Sequence, residues 1–202
     1  MSRIYNIHSA GLSGLHRLQL LLLNDNRLSS VHAATFRDLR SLQELSLSRN
    51  QLSGLHAATF GGLLRLRELL LYQNRLGALH QHTFASLVAL EWLSLANNRL
   101  QTLHPDTFRD QTALRHLSLA NNRLTALGNE NSNGESEKKS AAAASYSPLF
   151  AHLARLESLW LQNNRLTAPL VPDALFGGLA GLRELSLRNN SLCWLDLAAL
   201  LR

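Results

Sequence analysis

The chain has 202 residues, is 46% hydrophobic and 17% charged, carries a formal net charge of +6 and holds one cysteine. No apolar run approaches the roughly 20 residues that a membrane-spanning helix needs, and a single cysteine excludes an internal disulfide. Of the 20 cationic residues 18 are arginine, with Lys138 and Lys139 the exceptions.

In chain order, residues 1–17 carry half of a pattern. Ile4, Ile7, His8, Leu15 and Leu18 stand 24 positions before Leu28, Val31, His32, Leu39 and Leu42. From Leu18 the pattern is complete, and Leu-x-x-Leu-x-Leu-x-x-Asn-x-Leu returns with copies starting at 18, 42, 66, 90, 114, 156 and 182. A fixed period of this length marks a solenoid, in which each copy buries its apolar face against its neighbours. In the copy from Leu42 to Leu52, the alternation around Leu45 and Leu47 has the two-residue period of a strand. Stacked strands of this kind run parallel, about 4.8 Å apart.

The ninth position of each string is an asparagine: Asn26, Asn50, Asn74, Asn98, Asn122, Asn164 and Asn190. Its amide both donates and accepts, so a stacked column can satisfy backbone groups that turn inward at the strand end. Phe36, Phe60, Phe84, Phe108, Phe150 and Phe176 form a second series, each six residues before the next leading leucine. Leu39, Leu63, Leu87, Leu153 and Leu179 follow three residues later, whereas Gln111 breaks that series and is expected to weaken the core. The intervening segments are too short for long helices, which predicts 3₁₀ or irregular turns.

The interval from Asn122 to Asn164 is 42 residues, one period plus 18. Its surplus, residues 128–147, is rich in Ser, Asn and Glu without apolar pattern, and is predicted to be a disordered, passive loop or a partner-contacting segment. A smaller surplus of two residues falls around Pro169 to Pro172.

The string, its 24-residue period, the asparagine column and the phenylalanine series together resemble the leucine-rich-repeat family, over nearly the whole chain. The resemblance implies an α/β solenoid: a horseshoe with a parallel β-sheet on the concave face and short 3₁₀ or irregular convex turns. It implies that the asparagines form the family's ladder and the phenylalanines its spine. The expected organisation is one domain over 1–202, with a partial repeat at 1–17, the insertion at 128–147 and a partial C-terminal cap helix at 193–202. Residues 190–201 resemble the opening of a cysteine-bearing cap, but Leu195 stands where that cap's second cysteine would be. Cys193 is otherwise read as a small buried hydrophobe. In this phase Ser2 takes a ladder position and Leu12 a spine position, so Met1 enters in mid-repeat. The start does not read as a signal peptide. The chain is expected to be a piece of a longer protein, the alternative being a divergent half-repeat that caps itself.

The concave sheet is the expected working surface, with the third, fifth, seventh and eighth positions of each string pointing outward. The partner-binding residues expected there are Glu44, Arg49, Glu68, Tyr72, Trp92, His116, Trp160, Glu184 and Arg188, the aromatics serving as anchors. The alternative is that the aromatics only fill space between strands. Two further columns carry less. His8, His32, His56, His80 and His104 could bind metal or sense pH, but no cluster of other ligands accompanies them, so repeat duplication is the reading and no metal is expected. Arg27, Arg75, Arg99, Arg123 and Arg165 each follow a ladder asparagine. They are read as a solvated edge, with acidic polysaccharide a weaker possibility and nucleic acid not expected.

The expected function is recognition of a protein or peptide ligand on the concave face, as part of a cell-surface or secreted receptor. The alternative is an intracellular scaffold or adaptor, cytoplasmic if the chain is complete. No P-loop, nucleophile elbow or metal motif is present, so no enzyme and no cofactor are expected.

Overall fold

Each string folds its centre into a three-residue strand, because the flanking leucines must face inward while the residues between them face out. The computed structural model describes residues 3–8, 10–127, 149–167, 175–176 and 178–192. The strands are β1 (Leu20–Leu22), β2 (Glu44–Ser46), β3 (Glu68–Leu70), β4 (Trp92–Ser94), β5 (His116–Ser118), β6 (Ser158–Trp160) and β7 (Glu184–Ser186). They form one parallel sheet in sequence order. Leu21, Leu45, Leu69, Leu93, Leu117, Leu159 and Leu185 align across it. The 18-residue surplus between β5 and β6 leaves this register unchanged: Leu117 pairs with Leu159 as Leu93 pairs with Leu117.

Behind the sheet lies one continuous apolar column. The framework leucines of β2 to β6 are almost completely excluded from solvent. Phe36, Phe60, Phe84, Phe108, Phe150 and Phe176 stack in turn, with ring centroids 6.1 to 6.4 Å apart. Full burial of each such side chain is worth about 1.5–3 kcal/mol. On the convex side, one 3₁₀ turn is formed among the described residues, Pro105–Phe108. Ile7 and Leu12 pack against the first full copy, and the Ile4 N–H donates to Asn26 Oδ1 at 2.8 Å, so the half-repeat continues the coil.

The asparagine ladder does what its chemistry predicts. Asn98 Oδ1 accepts from the Leu76 N–H of the preceding copy at 3.0 Å. Its Nδ2 donates to Leu71 O of that copy and to Leu95 O of its own, both at 3.0 Å. Asn50, Asn74, Asn122, Asn164 and Asn190 repeat the arrangement. Every one therefore staples two consecutive copies.

The residue before each ladder asparagine takes left-handed backbone: Asp25, Arg49, Gln73, Asn97, Asn121, Asn163 and Asn189, with φ from 52° to 58°. Five of these are Asn or Asp, the non-glycine types that tolerate this region best. The left-handed step turns the chain at the strand end and sends the next side chain into the interior.

The packing adds to three sequence expectations. The histidine column has a structural use: Nδ1 of His8, His32, His56, His80 and His104 each accepts from the backbone N–H two residues on, at 3.0 to 3.2 Å. These imidazoles cap the convex turns as Ser or Asp would. Gln111 is buried in the leucine's place with one end of its amide satisfied: its Nε2 donates to Phe84 O at 2.7 Å, while its Oε1 has no partner among the described residues. Finally, not every outward position is open. Ser46, Ser48, Ser94, Ala120 and Ser158 are buried, because curvature crowds small side chains beneath larger neighbours on the inner face. The surplus near Pro169 to Pro172, the insertion 128–147, Ser2, Cys193 and the cap at 193–202 lie outside the described residues.

Thr35, Thr59, Thr83 and Thr107 precede the phenylalanines, and their buried hydroxyls have no hydrogen-bond partner. Before Phe150 and Phe176 the same position is Leu149 and Leu175. Thr83→Val should accordingly leave the thermal midpoint unchanged or raise it; a clear fall would reveal a partner for the hydroxyl. Asn98→Leu should act in the opposite sense. It leaves the buried Leu76 N–H without its acceptor, while Leu71 O and Leu95 O each lose one of two donors and keep Asn74 and Asn122 Nδ2. An unpaired buried N–H costs about 1–3 kcal/mol, and urea unfolding should show a loss of at least that order.

Candidate functional site

The concave surface is built from side chains that the sheet register brings into rows. The third positions give Leu20, Glu44, Glu68, Trp92, His116, Ser158 and Glu184 in strand order. The fifth positions give Leu22, Ser46, Leu70, Ser94, Ser118, Trp160 and Ser186. Of the residues expected to bind a partner, Glu44, Arg49, Trp92, Glu184 and Arg188 are exposed, and Glu68, Tyr72, His116 and Trp160 are half-buried.

Three of them meet. Trp92 and His116 have ring centroids 4.6 Å apart, Trp92 and Trp160 5.8 Å, and His116 and Trp160 6.2 Å. Strands two apart in a sheet lie about 9.6 Å from each other. The indoles of β4 and β6 must therefore lean toward one another over β5, and the small Ser94 and Ser118 at the fifth positions leave the room. Trp160 Nε1 also donates to Glu184 Oε1 at 2.6 Å, which ties β7 to the cluster. Space-filling between strands thus accounts for part of the aromatic surface, while Trp92 keeps 37% of its area exposed. Two polar atoms on this face, His116 Nδ1 and Gln162 Oε1, are buried without a partner among the described residues.

Toward the other end of the sheet the face is acidic. Glu44 and Glu68 are neighbours in register. Partial burial, reinforced by the Glu44 charge, raises the Glu68 carboxyl above its ordinary value. Neither glutamate is paired with a cation among the described residues. Arg49 turns to the rim: its Nε donates to Gln73 Oε1 at 2.8 Å, and its Nη1 lies 3.5 Å from Asp25. The Asp25 carboxyl is held below its ordinary value chiefly by a hydrogen bond from Asn24, with burial opposing and Arg49 assisting. Asn121, Asn163 and Asn189 continue this rim, linked at 2.7 and 2.8 Å. Sequence reasoning assigned the eighth positions to recognition but missed that they form a second, exposed ladder. Their Asn and Asp bias was the available signal.

The remaining columns lie elsewhere. Arg27, Arg75, Arg99, Arg123 and Arg165 are exposed, and their backbone N–H groups join successive copies. Arg27 sits over the Tyr5 ring and donates to its hydroxyl at 2.7 Å. Among the described residues no group of three or more His, Cys, Asp or Glu could hold a metal ion, and no helix is long and apolar enough to cross a membrane.

Comparison with known proteins agrees with this geometry. A family profile described as "Leucine rich repeat" matches residues 16–76 and 64–124. No curated protein matches. Among solved structures, the chain is similar to the TLR13 chain of the TLR13–ssRNA13 complex, with 28% identity, a TM-score of 0.79, and coverage of 98% of this chain and 25% of that one. It also shares its fold with the APL1 leucine-rich repeat domain at 23% identity and a TM-score of 0.75, covering 96% of this chain and 44% of that one. A leucine-rich-repeat protein of Leptospira interrogans gives 24% identity and a TM-score of 0.77, with 96% and 43% covered. The chain thus spans less than half the length of each of these neighbours. With seven aligned strands, a buried asparagine ladder, a stacked phenylalanine spine and a family match across more than half its length, this chain belongs to the leucine-rich-repeat family.

Proposed function

We propose that this chain is a ligand-recognition segment that seats a protein or peptide on its concave face, as part of a cell-surface or secreted receptor. A leucine-rich-repeat domain is generally a protein-binding module and typically non-catalytic. The observation that carries the placement is the cluster of Trp92, His116 and Trp160. Aromatic side chains on a surface that is already rigid lose little freedom on binding, and such anchors dominate interface energies. Glu44 and Glu68 on one side and Glu184 on the other favour a ligand with an apolar anchor and basic flanks.

The TLR13 neighbour is in complex with ssRNA13. Here the same three glutamates on the concave face repel phosphate, which favours protein over RNA. An intracellular scaffold would use the same face, and flanking coding sequence separates the two settings. A leader and cap upstream, with further cap cysteines downstream, belong to the receptor reading.

Peptides selected from a display library against the folded chain should bind with the concave face. Trp92→Ala and Trp160→Ala should each weaken them about tenfold or more, the scale of an interface anchor. Unaltered affinity in both variants, or tighter binding of single-stranded RNA than of any peptide, would overturn the placement. Binding of a basic peptide should also weaken on acidification. Glu68 takes up its proton above the ordinary carboxylate value of 4.5, so its share of the attraction is present at neutral pH and lost as pH falls into that range. Glu68→Gln should flatten the upper part of this profile.

A further inference from the structure

The convex side of the first and second full copies differs from that of the third and fourth. There the residues are small: Ala33, Ala34, Ala57, Ala58, Gly61 and Gly62, where the third and fourth copies place Gln81, His82 and Pro105, Asp106. Gly62 adopts φ +89°, and a Cβ there would lie 3.3 Å from Arg37 O, so the chain reaches this shape only with glycine. The result is a surface hollow of about 830 Å3 with Ala58, Gly61, Gly62 and Leu64 among its lining. Leu64 is left 59% exposed beside it. Sites for small molecules fall in this size range, with an apolar body and a few placed polar groups.

The polar side chains are His32, Ser41 and three arginines. Arg37, Arg40 and Arg65 line the hollow, and all three are exposed. None is paired with a carboxylate among the described residues. Asp38 is adjacent in sequence, but its Oδ2 accepts from the Gly14 N–H at 3.1 Å, on the side of the preceding copy. Arg37 and Arg40 also border the smaller recess that contains Asp38, while Arg65 borders the large hollow alone. Three guanidinium groups without counter-charge around an apolar floor form a complement to one kind of molecule. Guanidinium forks bind carboxylate, sulfate or sulfonate oxygens in pairs, and the alanine and leucine surface takes an aryl or alkyl body.

We propose that this convex hollow is a binding site for a small amphipathic anion, one anionic head on an apolar body, held by Arg37, Arg40 and Arg65. The site lies apart from the concave sheet and does not rest on the ligand proposed there.

Anilinonaphthalene sulfonate has this chemistry and reports its own binding by fluorescence. The full chain should bind one equivalent saturably, and the uncharged phenylnaphthylamine should bind about tenfold or more weakly. Arg37→Gln combined with Arg65→Gln should weaken the sulfonate about tenfold or more, as loss of charge-assisted contacts predicts. Ala58→Leu, which intrudes on the apolar floor of the hollow and leaves the arginines, should weaken it in the same sense. These side chains are exposed, and unchanged thermal midpoints would show that the variants stay folded. Equal affinity for the charged and neutral probes would reduce the hollow to an apolar patch and overturn the proposal. So would full affinity in the arginine variant. Displacement of the probe by heparin, combined with indifference to Ala58→Leu, would mean that the arginines attract any polyanion, and that too would overturn it.

Discussion

Each turn of this coil carries backbone N–H and C=O groups inward at the end of its strand, where water cannot reach them. The ladder asparagines let those groups stay. One amide accepts from the copy before it and donates both to that copy and to its own. The same side chain therefore satisfies the turn and fixes the spacing between copies. An apolar residue of similar size could fill the volume but not the hydrogen bonds, and burial of unpaired amides would oppose the packing gained from the leucines.

Fixing the spacing fixes everything stacked upon it. The phenylalanine rings on the convex side meet at nearly constant separation because the copies do. On the concave side the same constancy sets side chains in rows, and curvature closes the rows toward each other. Small residues then become covered without facing the core, as Ser46 and Ser48 are, their hydroxyls 3.0 Å apart. Large ones are pushed together, as Trp92, His116 and Trp160 are. The ladder backs this face along its length, and under the proposed function such backing would let it anchor a ligand at low entropic cost.

The convex side follows other rules. Its backbone bonds span three residues and recur from copy to copy, while the side chains between the recurring His, Thr and Phe positions vary. Histidines cap its turns, and the small residues of two copies leave a hollow ringed by arginine. The two faces of one solenoid can therefore carry distinct recognition chemistry without disturbing each other, since neither touches the ladder.

Much of this was legible in the amino-acid sequence. A 24-residue period with leucine and asparagine at fixed places allows one local solution, so strand positions, register, ladder and spine all follow from spacing. Even Asp25, Asn97 and Asn121 announce a left-handed turn by their type. What spacing cannot express is how far a side chain leans once the copies curve. The third and fifth positions looked equally open in the pattern, yet Ser94 is buried, Trp92 is exposed, and Trp160 crosses β5 to meet it. Likewise the sequence marked Gln111 as a break in the core, but only the packing shows that its Nε2 reaches Phe84 O in the copy before while its Oε1 stays unpaired. The repeat determined the path of the backbone because backbone hydrogen bonds and leucine burial recur identically in every copy. The tertiary structure alone decided which side chains meet, because that depends on contacts between copies that differ.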